Sequence, residues 1–181
     1  KTTLTGSETY SYATGFKLTG ITSTAGNEVY GHDAGGRLTS VTRVGLTRTL
    51  EYDSYDHITK VIDGGIENVR YTFDGMGRRI SADDGTGVKR FLTAPNLGDG
   101  YESPQAVTDA SGNVLATFIY AGEHPIARIT PTGVEYFLAD AMGSVIGMTD
   151  AGGSSTASIK YDSFGNVTDA EGASAAMPSD T

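Results

Sequence analysis

Apolar and polar residues alternate along most of this chain, in short runs that are interrupted by glycine and aspartate. In the run LEYDSYDHITKV, Leu50 and Tyr52 precede a group of turn-forming residues, and Ile58 and Val61 follow it. Alternation with a period of two, with β-branched residues between, is typical of half-buried strands. No stretch keeps helical spacing for the roughly 11 residues that a helix requires. The pattern therefore predicts an all-β protein built from antiparallel β-hairpins.

The alternating runs recur at a nearly constant interval. Gapless copies start at Tyr10, Tyr30, Leu50 and Tyr71, at intervals of 20, 20 and 21 residues, and a further copy starts at Ile159. Most copies carry Asp at the fourth place, Gly or another turn residue at the seventh, and a basic or amide residue at the eighth. A single hairpin cannot bury its apolar face alone, so stacked neighbours are expected.

The regularity of the repeat divides the chain into three segments. Residues 1–80 are predicted to form hairpins of about 20 residues each, and residues 81–167 to form less regular hairpins separated by clusters of turn residues. Residues 168–181 lose the apolar alternation and are predicted to be an irregular tail or a truncated connection. In the hairpin that starts at Tyr71, Arg79 precedes the first aliphatic residue of the second strand. That residue, Ile80, therefore comes one place later than Leu38 and Ile58 do in their copies, which predicts a bulge particular to this hairpin.

Composition narrows the classes of function. Glycine makes up 25 of 181 residues, about twice the usual share of roughly 7%, which favours many turns. The formal net charge of −9 disfavours nucleic acid or an anionic membrane as partner. The absence of cysteine excludes disulfides, thiolate zinc sites and cysteine nucleophiles. Because the chain starts without Met and ends in small polar residues, we expect it to be a piece of a longer protein.

The repeated aspartates Asp33, Asp53 and Asp74 have two possible uses. Two of them could form an acid–base pair if they approached within hydrogen-bonding or water-bridging reach. Catalysis needs one site, however, whereas these residues are copied along the chain. We therefore expect each aspartate to cap its own turn by accepting hydrogen bonds from backbone N–H groups.

Aromatic and basic residues also recur. The tyrosines could stack on sugar rings, but packing across strands is the favoured interpretation; they are Tyr10, Tyr12, Tyr30, Tyr52 and Tyr71. The arginines could bind an anionic cargo, but ion pairs with nearby acidic residues are favoured; they are Arg37, Arg78 and Arg79. The histidines His32, His57 and His124 lack the spacing of a zinc site. Turn chemistry, rather than calcium binding, explains DASGN and DAGGSS. No metal and no cofactor is expected.

The segments YGHDAGGRLTSV, EYDSYDHITKV and YTFDGMGRRIS resemble the Rhs/YD-repeat family. Further along, DASGNVLATFIY, PIARI, EYFLADAMGSVIGMTDAGG and IKYDSFGN follow in the order found in that family, and the resemblance covers about residues 8–167. In YFLADAMGSV, Ala139 and Met142 differ from the residues that are more common at these places in the family. The structural motif is carried by Tyr30, Asp33, Gly36, Arg37, Tyr52, Asp53, Tyr71, Asp74, Gly77, Arg78, Asp140, Gly143, Tyr161, Asp162 and Gly165.

The resemblance implies a spiral of hairpins that forms a hollow β-shell or barrel. In bacterial members the shell encloses a toxic C-terminal domain, and in teneurins it lies at the cell surface. Self-cleavage in toxin-bearing members follows a D-P-x-G-L signature, which is not present in this chain. The resemblance thus implies a secreted or surface-exposed structural segment without enzymatic activity. Its expected partners are the remainder of its polypeptide, neighbouring copies through β-edges, an enclosed toxin, or surface glycans. An adhesin, a carbohydrate-binding protein or a self-assembling filament is the alternative.

Overall fold

The computed structural model describes residues 7–95 and 102–172, and within these ranges every regular element is a β-strand. All the strand pairs are antiparallel, which confirms the predicted all-β fold. The strands are Thr9–Ala13 (β1), Lys17–Ser23 (β2), Gly26–His32 (β3), Leu38–Arg43 (β4), Leu46–Tyr52 (β5), Ile58–Asp63 (β6), Ile66–Phe73 (β7), Arg79–Asp83 (β8), Val88–Pro95 (β9), Glu102–Asp109 (β10), Val114–Ala121 (β11), His124–Thr130 (β12), Gly133–Ala139 (β13), Val145–Asp150 (β14), Ser155–Tyr161 (β15) and Val167–Glu171 (β16).

The contacts between residues divide the chain into two units, Lys1–Val88 and Lys89–Thr181. In the first unit β1 to β8 pair in chain order, each strand with the next. In the second unit β9 to β16 do the same. Alternate hairpin turns of such a meander lie at the same end of the strands. Each unit therefore has two rows of turns, one at either end of its strands.

The register of the hairpins follows the alternation in the sequence. Leu50 pairs with Val61 and Tyr52 pairs with Ile58, so these apolar residues share one face of β5 and β6. The register shifts by one residue between Glu51 and Tyr52, just before the turn. This shift is the physical signature of a bulge, where two residues of one strand oppose one residue of the other.

The register shift predicted for the Tyr71 hairpin is present, between Thr72 and Phe73, but it is not particular to that hairpin. Shifts occur one residue before the turn in the β3–β4, β7–β8, β13–β14 and β15–β16 hairpins as well. Arg79 pairs with Phe73 in the same way that Leu38 pairs with His32. The shift thus comes from the five-residue turn itself rather than from the side chain that follows it.

The segment after residue 167 is more regular than the sequence predicts. Strand β16 spans Val167–Glu171, with Val167 opposite Tyr161 and Ala170 opposite Ile159. The prediction of an irregular segment was therefore wrong for residues 168–171; the rest of it, from 173 onward, lies outside the described residues. All five residues of β16 are exposed, so no apolar face was needed and the alternation is missing.

Little of the described chain is fully buried. The buried apolar residues all belong to the second unit, where Met148 has no exposed surface and packs with Ala157 and Phe137. In the first unit the apolar side chains of the strands are half-buried or exposed. Among the described residues no helix has the length and apolarity needed to cross a bilayer.

Candidate functional site

A five-residue turn that starts with aspartate recurs through the described chain. In every copy the Asp N–H donates to the carbonyl of the fifth residue, and the Asp Oδ1 accepts from the N–H of that residue. The copies span residues 33–37, 53–57, 74–78, 109–113, 140–144, 150–154 and 162–166. The aspartates singled out from the sequence are thus parts of turns, and each carboxylate accepts hydrogen bonds from its own turn.

The turn at Asp74 illustrates the geometry. Asp74 Oδ1 accepts from the N–H groups of Met76 and Arg78 at 2.9 and 3.0 Å, and Gly77 N–H donates to the Asp74 carbonyl at 3.0 Å. Arg78 Nε donates to Asp74 Oδ2 at 2.6 Å. The backbone N–H and the guanidinium of Arg78 hold the pKa of Asp74 below its usual value. A carboxylate held ionised in this way is a poor general base.

The fifth residue of the turn explains the recurring choice of basic or amide side chains. Arg37 Nε reaches Asp33 Oδ2 at 2.6 Å, and Asn166 Nδ2 reaches Asp162 Oδ2 at 2.8 Å. These side-chain donors hold the pKa values of Asp33 and Asp162 below the ordinary aspartate range. Arginine, histidine and asparagine each place a nitrogen donor at the second carboxylate oxygen, whereas Ser144 and Ser154 bond the aspartate through their backbone N–H groups.

Neighbouring turns in the first unit are linked through the same fifth residue. Arg37 Nη1 donates to Asp56 Oδ1 at 2.8 Å and to the Asp53 carbonyl at 3.2 Å, and its guanidinium lies 4.9 Å from the centre of the Tyr52 ring. The His57 ring stacks on Phe73 with ring centres 4.5 Å apart. Each of these side chains therefore contacts the hairpin that follows its own.

The tyrosines of the motif occupy two different places relative to the aspartate. Tyr52 and Tyr161 directly precede it, and their hydroxyls donate to the carbonyls of Leu38 and Val145 at 2.6 and 2.9 Å. Burial raises the pKa of Tyr52. Tyr120 makes the same kind of bond, to the Pro104 carbonyl at 2.9 Å, although the sequence analysis did not single it out. Its position at the end of an apolar run, just before a turn, was the available signal.

Tyr30 and Tyr71 lie three residues before the aspartate. The Tyr30 hydroxyl donates to the Glu28 carboxylate, and the Arg79 guanidinium lies 5.2 Å from the centre of the Tyr71 ring. If the position of each tyrosine had been counted from the aspartate, Tyr30 and Tyr71 would have been distinguished from the tyrosines that directly precede the aspartate.

The fourth place of the turn has a positive φ, the left-handed region that favours glycine. The motif glycines take values of +93°, +80°, +87° and +84° at Gly36, Gly77, Gly143 and Gly165. One copy departs from the rule, because Asp56 adopts a φ value of +70° at the equivalent place. The geometry of the turn is thus kept even where the sequence does not supply glycine.

The described residues contain no cluster of side chains suited to hold a metal ion. Groups of three or more histidine, aspartate or glutamate side chains placed to hold a metal do not occur there. A shallow groove of about 370 Å³ contains Glu135, Asp150 and Thr156. Glu135 is ion-paired with Arg128 at 2.6 Å, and Asp150 caps its turn, so both carboxylates are already engaged.

Comparison with known proteins places this geometry in context. The family model described as teneurin YD-shell matches residues 20–178. A curated protein named tRNA3(Ser)-specific nuclease WapA, from Bacillus spizizenii, is 30% identical over 120 residues, which is 64% of this chain and 5% of that protein. A Tc holotoxin pore structure from Photorhabdus luminescens superposes with a TM-score of 0.50 and 15% identity, over 81% of this chain and 9% of the matched chain. The chain therefore spans a small fraction of the proteins that it matches.

Proposed function

Because the chain belongs to the teneurin YD-shell family, we propose that it is a structural, non-enzymatic stretch of β-hairpin wall in a secreted or cell-surface protein. The observation that supports this role is the repeated aspartate turn, in which the carboxylates accept hydrogen bonds within their own turns. A part that is copied in hairpins along the chain serves construction, since catalysis requires one unique site. The motif tyrosines, aspartates and glycines are, in this proposal, the parts that set the shape of each hairpin.

The wall, in the same proposal, helps to enclose a C-terminal toxin or another cargo. Its support is the scarcity of fully buried apolar residues in a sheet whose faces need a partner. The related protein with a nuclease name is far longer than the matched region. An enclosing wall and an enclosed active domain would then be separate parts of one polypeptide.

Protease protection of the full polypeptide that contains this chain tests enclosure. We expect a region outside the hairpins to resist proteinase K until the wall is weakened. Gly77→Val and Gly143→Val should remove the protection, because a Cβ at these positions lies 3.0 and 3.1 Å from the rings of His57 and His124. Gly75→Val is the matched control, since nothing lies within 4 Å of its Cβ position. Digestion of every region at one rate, with the wall intact, would contradict enclosure.

An adhesin that binds carbohydrate is the second candidate, and exposed aromatic rings on β1 favour it. Tyr10 and Tyr12 lie two residues apart, and both are exposed. Rings on one face of a strand can stack on successive sugars. Glycan-array binding that is lost in Tyr12→Ala and kept in Tyr55→Ala would support this function. An array without any bound glycan would exclude it.

A further inference from the structure

In the first unit, side chains that directly follow one hairpin turn reach the next hairpin along the chain. Arg37 follows the turn between β3 and β4, and its Nη1 donates to Asp56 Oδ1 at 2.8 Å in the turn between β5 and β6. His57 follows that second turn, and its ring stacks on Phe73 of β7. Lys17 follows the turn between β1 and β2 and reaches the turn between β3 and β4. We call Arg37, His57 and Lys17 the turn links.

Each turn link crosses the boundary between two hairpins. At such a boundary the strands, for example β4 and β5, are also paired through their backbones. Separation of the β3–β4 hairpin from the β5–β6 hairpin therefore breaks the ion pair between Arg37 and Asp56. The ion pair between Arg43 and Glu28 differs, because it joins the two strands of a single hairpin. Only the first kind of ion pair resists opening between hairpins.

The described aspartate turns of the second unit carry uncharged side chains at the fifth place. These residues are Asn113, Ser144, Ser154 and Asn166. Asparagine and serine form no ion pair with the next turn. The second unit instead contains the buried apolar residues of the described chain, which are Val107, Ala116, Ala127, Met148, Ala157 and Ile159. Burial of apolar side chains stabilises a fold more than exposed ion pairs do.

The two units also differ in net charge. Residues 1–88 contain nine basic and eleven acidic residues, a net charge of −2, and residues 89–181 contain four and eleven, a net charge of −7. Added salt screens attraction and repulsion alike. It therefore weakens the turn links of the first unit, and it relieves the self-repulsion of the second unit. Salt should act on the two units in opposite directions.

The exposure of the Arg37 link makes it sensitive to salt. The side chains of Arg37 and Asp56 are 36% and 75% exposed, and ion pairs at such exposure are weak and screened. We propose that the first unit is the part of the wall that opens: the turn links hold its hairpins together at low ionic strength and release them at high ionic strength, while the second unit stays closed. This inference rests on the proposed wall-building role and specifies where the wall opens.

Hydrogen–deuterium exchange, followed by mass spectrometry, measures the opening of each unit in the unsubstituted chain. Raising NaCl from about 20 mM to about 500 mM at neutral pH shortens the Debye length from roughly 20 Å to roughly 4 Å. We expect the amides of β3 to β6 to exchange about five to ten times faster at the higher concentration, the factor that two or three exposed ionic contacts provide. Those of β11 to β15 should exchange at the same rate or more slowly.

Asp56→Gly separates the link from the turn. Asp56 has a φ of +70°, which glycine adopts freely, so the substitution suits the turn and removes the acceptor of Arg37. We expect this variant to lose most of the salt dependence in β3 to β6. Arg43→Gln is the matched control, because it removes an ion pair within one hairpin. It should keep the salt dependence of the parent chain.

Three results would overturn the proposal: exchange in the first unit that slows with salt, a second unit that opens first, or an Asp56→Gly variant with the salt dependence of the parent chain. Equal exchange in both units, with protease protection intact, would remove the site of opening and leave the enclosing wall. Salt-dependent opening of the first unit without protease protection would support the turn links and contradict enclosure.

Discussion

At the scale of the residue, glycine at the fourth place of the turn provides both conformation and room. Gly77 has a φ of +80°, and a Cβ there would lie 3.0 Å from His57 Nε2 on the preceding turn. Gly75, two residues earlier, lacks both constraints. The sequence shows two glycines in one turn, and only the structure distinguishes the one that the fold requires.

Gly77→Ala should therefore lower the free energy of unfolding by about 1–2 kcal/mol, because an L-residue pays that cost in the left-handed region. Gly75→Ala should be neutral or stabilising by about 0.5 kcal/mol, since alanine restricts the unfolded chain. Urea denaturation measures both. Equal effects of the two substitutions would show that the turn does not hold Gly77 in this conformation.

The hydroxyl of Tyr52 provides a second test at this scale. Tyr52→Phe keeps the ring and removes the hydrogen bond to the Leu38 carbonyl, so we expect a loss of about 1 kcal/mol in unfolding free energy. Tyr55→Phe, in the adjacent turn but exposed, should change the stability by less than about 0.5 kcal/mol. If both variants unfold like the parent chain, the hydroxyl bond contributes nothing.

At the scale of the element, the hairpins were predictable because strands and turns are determined by residues that lie close together in the sequence. Alternation places strands, and an aspartate followed three residues later by glycine places turns. The bulge before the five-residue turns was expected in one hairpin only, because the unusual side chain Arg79 drew attention to it. The turn geometry common to the hairpins was not visible in any single side chain. Strand β16 was missed because its exposed residues leave no apolar alternation.

Met148 tests whether the strands of the second unit pack as a unit. It is fully buried against Phe137 and Ala157, so Met148→Ala should lower the unfolding free energy by about 2 kcal/mol or more. Met148→Leu conserves most of the volume and should cost less than about 1.5 kcal/mol. Thermal or urea unfolding gives both values. A leucine variant as unstable as the alanine variant would indicate that the thioether shape, rather than burial, is what matters.

At the scale of the whole molecule, the lowered aspartate pKa values predict acid sensitivity in both units. Hydrogen bonds hold the pKa values of Asp33, Asp74, Asp109 and Asp162 below the ordinary range. A depressed folded pKa contributes stability that is present above the unfolded value of about 3.9 and is lost as the pH falls through the folded value. The melting temperature should therefore be flat from about pH 7 to 5 and fall below about pH 4.

Circular dichroism melts across this pH range measure the effect, and Asp74→Asn is the control. Asparagine keeps an oxygen acceptor for the turn but does not titrate, so this variant should lose less stability between pH 5 and pH 3 than the parent chain. Acidification also reduces repulsion within a chain of net charge −9. A melting temperature that rises on acidification would mean that this repulsion outweighs the turn hydrogen bonds.

The sequence by itself determined the β-strands, the turns and the repeat, because these depend on alternation and on residues within five positions of one another. Only the tertiary structure decided which side chains meet between hairpins, as when Arg37 reaches Asp56 and Tyr52, or His57 stacks on Phe73. Those contacts depend on the register of successive strands, and register depends on every bulge that precedes it.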